Sequence, residues 1–340
     1  MITKLGLGLV SALALLIPAN AALAATKIRV SETGIQQYRI VLYAAMINGY
    51  FANEGLDVEL VDTRAGADSM KLLASGATQF ESSVPLDIVN ARKQGLDIKA
   101  IAMLDQRLNN SIIVQKSLAG QIKSFADIGN HTVGVASIGS GQWQAAALVA
   151  KQAGIDPEKL NFIATGPDLA QAAFESGRID VLSFNDPLDI ALVDAGKGDF
   201  LVDFTDDATH KKLVGDQILF TDIAVTADYM KANPQIVQSF VNAIQKGMVW
   251  VKAHSPEEWA DLLQKNNYFN TMDKAVLVKS LQRMASGVPE SAMVTPEAVK
   301  SFLDMSDSLG LLKGDEGLTL PLTFEAMVDN SYAKAAIAAQ

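Results

Sequence analysis

The sequence predicts an α/β protein of two lobes with mixed, mostly parallel sheets. Short runs of β-type composition alternate with segments of helical periodicity, which is the pattern of sheets covered by helices. The alternation occurs in two successive series, and the region from residue 233 to the end is helical in pattern. The length of 340 residues agrees with about two domains.

The first series predicts a lobe of alternating strands and helices. Gly55, Gly76 and Gly95 follow its three helices, and glycine commonly ends a helix because it adopts the left-handed conformation without steric cost. The predicted strands are 27–30, 57–61, 78–81 and 98–104, and the predicted helices are 38–51, 67–75 and 85–94. Residues 111–115 then lead towards the second series.

The second series repeats this organisation. Its predicted strands are 131–136, 161–164, 180–184 and 200–204, and its predicted helices are 142–153, 168–176 and 187–195. The apolar run 217–225 is predicted to carry the chain back to the first lobe. Two strand-like crossings between the lobes therefore predict a hinge with a cleft beside it.

The last third of the chain predicts helices that pack against the first lobe. Three of them begin with a polar residue followed by proline, at residues 233–234, 255–256 and 295–296. A polar N-cap and proline in the first helical turn are favourable helix starts.

The first 24 residues predict a secretory signal peptide. Lys4 precedes an apolar run over 5–17, and Ala22-Leu-Ala24 offers small residues for cleavage before Ala25. Cleavage after Ala21 is the near alternative. A membrane anchor is the other interpretation, but 13 residues fall short of the roughly 20 that a transmembrane helix needs. The sequence therefore predicts a protein exported to the periplasm.

The composition excludes several classes of function. A net charge of −10 argues against nucleic-acid binding, which needs basic surfaces. The absence of cysteine excludes disulfides, cysteine-based metal sites and a thiol nucleophile. The three histidines have no metal-ligand spacing, so we expect neither a metal nor a cofactor.

Four sequence blocks resemble periplasmic substrate-binding proteins of the nitrate/sulfonate/taurine ABC-transporter family, within the thiamine-pyrimidine-synthase-like superfamily. The most specific block is residues 49–58, GYFANEGLDV. The others are 72–80 (LLASGATQF), 133–141 (VGVASIGSG) and 176–187 (SGRIDVLSFNDP). Gln79 and the pair Asn185-Asp186 stand where the family often has other residues.

The resemblance implies a type II periplasmic-binding-protein fold that serves an ABC importer. It divides the chain into the signal peptide 1–24, the first lobe 25–115, the second lobe 116–220, and a second part of the first lobe 221–340. It also implies an inner-membrane permease with a cytoplasmic ATPase as partners, and a monomer.

Ligand contacts in such a cleft come from loops at the carboxyl ends of strands. Applied to the predicted strands, this rule selects a set of candidate ligand-binding residues. They are Gln37, Tyr38, Ser82, Ser83, Ser137, Gly139, Ser140, Gly141, Gln142, Asn185, Asp186 and Asp222.

The segment 137–142 is the strongest candidate for binding an anion. Its glycines allow close approach of the backbone, Ser137 and Ser140 supply hydroxyls, and the following helix presents its positive end. The alternative is an ordinary strand-to-helix turn with serine caps. No Gly-Lys-Ser/Thr follows, so the segment is not a nucleotide-binding P-loop.

Each of the other candidates has a structural alternative. Ser83 would bind ligand or cap the next helix, and Tyr38 would line the cleft or cover the lobe edge. Asp186 would pair with a ligand amine or cap the helix at Pro187. Trp143 and Phe184 would stack on an aromatic or pyrimidine ligand, and the alternative for Trp143 is a place in the core or on the lobe surface.

The leading hypothesis is capture of a small organic anion by closure of the lobes, with a sulfonate or taurine-like compound as first choice. Nitrate, an aromatic carboxylate and a thiamine-precursor pyrimidine remain open, as does a sensor that presents its ligand to a receptor. Catalysis is not expected. The related pyrimidine synthases and desulfinases depend on cysteine, and Gly139-Ser140-Gly141 lacks the GxSxG elbow of a serine hydrolase.

Overall fold

The structure is a computed structural model that describes residues 25–63, 65–313 and 320–340. The predicted signal peptide, residues 1–24, lies outside the described residues. Within the described ranges, the helices are each too short or too polar to span a bilayer.

The strands form two five-stranded sheets within the described residues, one in each lobe. They are β1 (Thr26–Glu32), β2 (Leu56–Asp62), β3 (Phe80–Ser83), β4 (Ile98–Asp105), β5 (Asn110–Gln115), β6 (Thr132–Val135), β7 (Asn161–Ala164), β8 (Val181–Asn185), β9 (Gly198–Asp203) and β10 (Thr221–Thr226). The first sheet has the order β2-β1-β3-β10-β4 and the second β7-β6-β8-β5-β9.

Both sheets are mixed. In the first, β1 is parallel to β2 and β3, while β10 is antiparallel to β3 and β4. In the second, β6 is parallel to β7 and β8, while β5 is antiparallel to β8 and β9. Each sheet therefore contains one strand that reaches it after a crossing and runs against its neighbours.

The helices cover the sheets and build the C-terminal region. They are α1 (Ile40–Ile47), α2 (Tyr50–Asn53), α3 (Gly66–Ala74), α4 (Pro85–Lys93), α5 (Gly141–Gln152), α6 (Gly166–Glu175), α7 (Leu188–Asp194), α8 (Asp207–Leu213), α9 (Ala227–Ala232), α10 (Pro234–Ala253), α11 (Pro256–Lys265), α12 (Lys274–Met284), α13 (Pro296–Ser308), α14 (Phe324–Met327) and α15 (Ser331–Ala338). A 3-10 helix, Gln37–Arg39, precedes α1.

Two of the three predicted proline helix starts have the expected cap. Ser255 forms a capping box with Glu258, and the Thr295 hydroxyl accepts from the Ala298 amide. Asn233 does not cap α10, because α9 directly precedes it and the Asn233 side chain donates back to the Tyr229 carbonyl at 3.2 Å.

Two strand positions differ from the sequence prediction. The third strand covers 80–83 rather than 78–81, because Val30 pairs with Phe80 and Asp222 pairs with Ser83. Ser82 and Ser83 therefore lie within the strand rather than after it. Strand β5 belongs to the second sheet, whereas the predicted division placed residues up to 115 in the first lobe. The chain therefore passes from the first sheet to the second before Asn110.

The two crossings between the lobes are residues 106–109 and 204–220, and the end of the second is hydrogen-bonded to the start of the first. The Ile218 amide donates to the Gln106 carbonyl at 2.9 Å and the Phe220 amide to the Asp105 carbonyl at 3.2 Å. His210 joins them again through its ring. Its Nε2 accepts from the Leu108 amide at 3.2 Å, and its Nδ1 contacts the Gly215 carbonyl at 2.9 Å.

His210 is uncharged in this position. Burial and the nearby Arg107 guanidinium lower its pKa to about 4. The neutral ring can then accept at Nε2 and donate from Nδ1, as the two contacts require.

The long helix α10 packs on α1 of the first lobe, as predicted for the C-terminal region. Gly247 makes this close approach possible. A Cβ atom at Gly247 would lie 2.5 Å from the Val41 carbonyl oxygen and 2.9 Å from Ala45 Cβ. These neighbours belong to a helix that cannot yield without moving as a unit.

We expect Gly247→Ala to destabilise the protein by about 1–3 kcal/mol, because overpacking outweighs the gain in helix propensity. Thermal unfolding should show a melting temperature lower by several degrees. Gly120→Ala is the control, since nothing lies within 4 Å of a Cβ at Gly120. Equal melting temperatures for the two variants would contradict the prediction.

Candidate functional site

The edges of the two sheets that carry the candidate residues face each other. In the first lobe, β3 ends at Ser83 beside Asp222, and β4 ends at Asp105 beside Thr221. In the second lobe, the end of β8 at Asn185 pairs with the first residue of β5. Because β5 and β10 run antiparallel to their neighbours, their amino ends lie at these edges.

Gln37 and Tyr38 connect the two edges. The Gln37 side-chain amide donates to the carbonyl of Asp186 in the second lobe, while Gln37 Oε1 is buried without a hydrogen-bond partner among the described residues. The Tyr38 ring packs edge-on against Phe220, with centroids 5.5 Å apart. Tyr38 is 6% exposed, and the buried polar atom without a partner at this position is Gln37 Oε1.

Ser82 is bound within the first lobe by Arg39. The fully buried Arg39 guanidinium donates from Nε to Ser82 Oγ at 2.9 Å, and the same nitrogen lies 3.8 Å from the Glu32 carboxylate. Burial raises the pKa of Glu32 although Arg39 opposes this effect. The Ser82 hydroxyl thus serves an internal ion pair that the sequence analysis did not include.

Ser83 and Asp222 form the centre of a buried acidic cluster, which we define as Glu81, Ser83, Asp87 and Asp222. The Ser83 hydroxyl donates to Asp222 Oδ1 at 2.6 Å. Ser83 does not cap α4, because Val84 occupies the N-cap position. Glu81 Oε2 and Asp222 Oδ2 are buried and lack a hydrogen-bond partner among the described residues.

Burial shifts the titration of the acidic cluster upwards. It raises the pKa of Asp222 to about 7 and that of Asp87 to about 6. For Glu81, burial and the Asp87 carboxylate raise the pKa well above the usual value. The cluster therefore holds protons near neutral pH and can both donate and accept hydrogen bonds.

The segment 137–142 has the contacts of a serine-capped turn. Ser140 Oγ donates to the Ser137 carbonyl at 2.7 Å and accepts from the Trp143 amide at 3.3 Å. Gly139 has a φ of +84°, which a side chain would strain. The Gln142 side chain donates to Asn185 Oδ1. Gly141 lies against the Phe220 ring, which a Cβ atom would approach to 3.2 Å.

Asp186 is paired with an internal cation. Arg283 Nε donates to Asp186 Oδ2 at 2.5 Å, and the Ile190 amide donates to Asp186 Oδ1 at 3.2 Å. Burial raises the pKa of Asp186 while Arg283 opposes the increase. The position that the sequence assigned to a ligand amine is thus taken by Arg283, which sequence reasoning missed.

The two aromatic candidates do not stand free. Trp143 packs on Phe162 with ring centroids 6.0 Å apart. Phe184 is 6% exposed and belongs to the core of the second lobe. Phe184 is therefore a core residue, whereas Trp143 is half-buried at the surface of the second lobe.

Several polar atoms at the facing edges are buried without a hydrogen-bond partner among the described residues. In Asn110, which is 0% exposed, both Nδ2 and Oδ1 lack a partner. Other such atoms in this region include Gln37 Oε1, Glu81 Oε2, Arg107 Nε, Thr221 Oγ1 and Asp222 Oδ2. A buried polar group without a partner costs about 1–3 kcal/mol, so these atoms are suited to meeting a ligand.

Sequence reasoning missed Asn110 and Thr221 because the rule of strand carboxyl ends applies to parallel strands. Both residues begin strands that are antiparallel to their neighbours. A polar residue directly after each crossing was the signal that could have found them. No group of His, Cys, Asp or Glu side chains suited to a metal ion occurs in the part of the chain that the structure describes.

Comparison with protein families gives one match, to the family described as NMT1/THI5 like, over residues 36–258. A formylaminopyrimidine-binding protein of Halalkalibacterium halodurans is 34% identical over 142 residues, which cover 42% of each chain. A 4-amino-5-hydroxymethyl-2-methylpyrimidine phosphate synthase of Candida albicans is 25% identical over 267 residues, 75% of this chain and 74% of its own. The relatives therefore include binding proteins and enzymes.

Solved structures share the fold. A protein from Bordetella bronchiseptica RB50 superposes with a TM-score of 0.81 and 21% identity, covering 94% of this chain and 98% of its own. The alkanesulfonate-binding protein SsuA from Xanthomonas axonopodis pv. citri, bound to MOPS, has a TM-score of 0.69 and 17% identity, covering 91% and 99%. The predicted type II periplasmic-binding-protein fold is confirmed.

Proposed function

Because the chain belongs to the NMT1/THI5-like family, we propose that it is the substrate-binding component of an ABC importer. In this proposal the segment 1–24 directs export and is removed, and the protein binds a small molecule in the periplasm. An inner-membrane permease and its cytoplasmic ATPase are the partners, and the binding protein is a monomer.

The observation that carries this proposal is the set of buried polar atoms at the facing sheet edges. Gln37, Thr221 and Asp222 contribute such atoms from the first lobe, and Asn110 from the second. A ligand held between the edges would complete their hydrogen bonds. Since only the closed arrangement brings both sets together, ligand binding would favour closure.

The charges at the site favour a ligand with nitrogen hydrogen-bond donors over the sulfonate expected from the sequence. The buried arginine of the first lobe, Arg39, faces the Glu32 carboxylate, and Arg283 faces Asp186 and Asp203. Glu81 and Asp222 offer carboxyl oxygens instead. Their oxygens can accept hydrogen bonds from an amine or aminopyrimidine, and the name of the 34% identical relative refers to a formylaminopyrimidine.

A sulfonate or another small organic anion is the second candidate. The segment 137–142 begins the 12-residue helix α5, whose positive end favours an anion. Arg107 Nε, in the crossing between the lobes, is also buried without a hydrogen-bond partner among the described residues.

We propose binding without catalysis. The family also contains synthases, but this chain has no cysteine to supply the chemistry that the resemblance associates with that branch. A sensor that presents ligand to a receptor would use the same cleft. A permease and an ATPase encoded next to this protein would favour transport over sensing.

A thermal-shift screen tests the proposal. The panel contains aminopyrimidines, taurine, alkyl and aryl sulfonates, nitrate and aromatic carboxylates. A ligand at 100 times its dissociation constant should stabilise the protein by about 2.7 kcal/mol and raise the melting temperature by about 5–10 °C. A folded, ligand-free protein that responds to no compound would contradict the small-molecule assignment.

Paired variants identify the ligand class. Binding of an aminopyrimidine should be lost in Asp222→Asn and kept in Ser140→Ala, because only Asp222 belongs to the acidic cluster. Binding of a sulfonate at the start of α5 should show the reverse pattern. A hit that survives both substitutions would place the site elsewhere.

A further inference from the structure

The segment around α12 is anchored to the first lobe. After α12, the Gln106 amide donates to the Gly287 carbonyl at 2.9 Å, and the Met103 amide donates to the Ala292 carbonyl at 2.9 Å. Before it, α11 packs on α12 and on α1. Leu277 and Leu281 of α12 are fully buried. The backbone of α12 therefore belongs with the first lobe.

The Arg283 side chain of α12, in contrast, finds its partners in the second lobe. Its Nε donates to Asp186 at 2.5 Å, and Nη1 and Nη2 donate to the two carboxylate oxygens of Asp203 at 2.9 and 3.2 Å. Nη2 also donates to Ser111 Oγ at 3.0 Å. The guanidinium carbon lies 4.6 Å from the centre of the Phe200 ring.

This arrangement uses every nitrogen of the guanidinium. The fork of two parallel hydrogen bonds to Asp203 is specific to arginine, because lysine presents a single point charge. The Arg283 side chain is 17% exposed and Asp186 only 3%, so solvent screens the pair less than it would screen a surface pair.

Separation of the lobes would leave both sides of this contact without partners. Burial and the Asp186 carboxylate raise the pKa of Asp189 well above its usual value. The two carboxyl groups that contact Arg283 directly are those of Asp186 and Asp203. Without the guanidinium these two carboxylates would face each other. The contact is therefore stable in the closed arrangement alone.

We propose that Arg283 is a positioning residue that holds the two lobes closed and fixes Asp186 at the cleft edge. The residue lies beyond the region 36–258 that matches the family model. The inference rests on the proposed function in one respect, namely that closure of the lobes creates the ligand site. A chain with a larger closed fraction binds more tightly and releases its ligand more slowly.

Distance measurements between spin labels test the proposal. The chain contains no cysteine, so Lys71→Cys on α3 and Glu175→Cys on α6 introduce one exposed label in each lobe. The distance distribution is measured without ligand in the parent protein and in Arg283→Met, Arg283→Lys and Asp203→Asn. Lys300→Met is the control, because Lys300 pairs with Asp304 within α13 and does not cross the lobes.

We expect Arg283→Met and Asp203→Asn to lower the population at the closed distance by half or more. The closed population of Arg283→Lys should lie between those of these two variants and that of the parent. The closed population of Lys300→Met should equal that of the parent. Affinity for any panel compound that binds should fall about tenfold in Arg283→Met.

Parent-like distances in both Arg283→Met and Asp203→Asn would overturn the proposal. Should Arg283→Met fail to fold, Asp203→Asn and Arg283→Lys still decide the outcome, because each alters the contact from one side only. The distances need no ligand. If no compound of the panel bound, this result would contradict the proposed function but would not affect the inference about Arg283.

Discussion

Asn110→Leu is expected to weaken ligand binding by about 100-fold, the loss of two hydrogen bonds to buried groups, without lowering the stability of the ligand-free protein. The Asn110 amide is fully buried, and both of its polar atoms lack a partner among the described residues. Leucine has a similar volume and removes the cost of a buried, unpaired amide. If Asn110 instead served the structure, Asn110→Leu would lower the stability of the ligand-free protein.

Calorimetric titration of the best panel compound and thermal unfolding without ligand measure the two effects. Asn48→Leu is the matched control, because Asn48 Nδ2 is also buried without a partner but lies at the end of α1, away from the sheet edges. Its affinity should equal that of the parent. A large loss of stability in Asn110→Leu with unchanged affinity would show that the amide is structural.

The free energy of unfolding of the ligand-free protein is expected to fall as the pH rises from about 5 to about 8. The folded protein holds the Asp222 proton with a pKa of about 7, well above the 3.8 that is usual for an aspartate side chain. The stabilisation from this group is full below the unfolded pKa and is lost as the pH rises through the folded pKa. Each such group contributes up to about 1.4 kcal/mol per pH unit. Asp87, with a pKa of about 6, adds to the loss at the lower end.

Asp222→Asn should reduce this pH dependence. The amide has the size of the acid and can still accept from Ser83, but it does not titrate. The variant should therefore gain stability relative to the parent at about pH 8 and not at about pH 5. Asp228→Asn is the control, since it removes an exposed carboxyl from the start of α9. Identical slopes for Asp222→Asn and the parent would refute the assigned pKa shift.

Local patterns in the sequence predicted the elements well, because helix caps and hydrophobic periodicity act over a few residues. Ser255 and Thr295 cap their helices as expected. The assignment of β5 to a sheet could not be predicted in the same way. Its partners β8 and β9 lie far along the chain, and only their pairing decides which sheet Asn110 enters.

The same difference between local patterns and long-range pairing applies to the candidate site. The positions of Gln37, Ser83 and Asp222 near strand ends could be predicted from the sequence. Their interactions could not, because Asp186 meets Arg283 across 97 residues of sequence and Ser83 meets Asp222 across 139. Such pairs follow from tertiary packing, so the sequence indicated where polar groups lie but not which of them were already engaged.

We expect the two crossings between the lobes, which His210 connects, to restrict the direction in which the lobes move. The two crossings are cross-linked at Gln106–Ile218, at Asp105–Phe220 and through the His210 ring. We expect such a cross-linked pair to bend more readily than it twists or slides, so that the lobes open along one angle. In the proposed importer, a permease that contacts both lobes would then sense ligand binding as a change in one separation, without contacting the ligand.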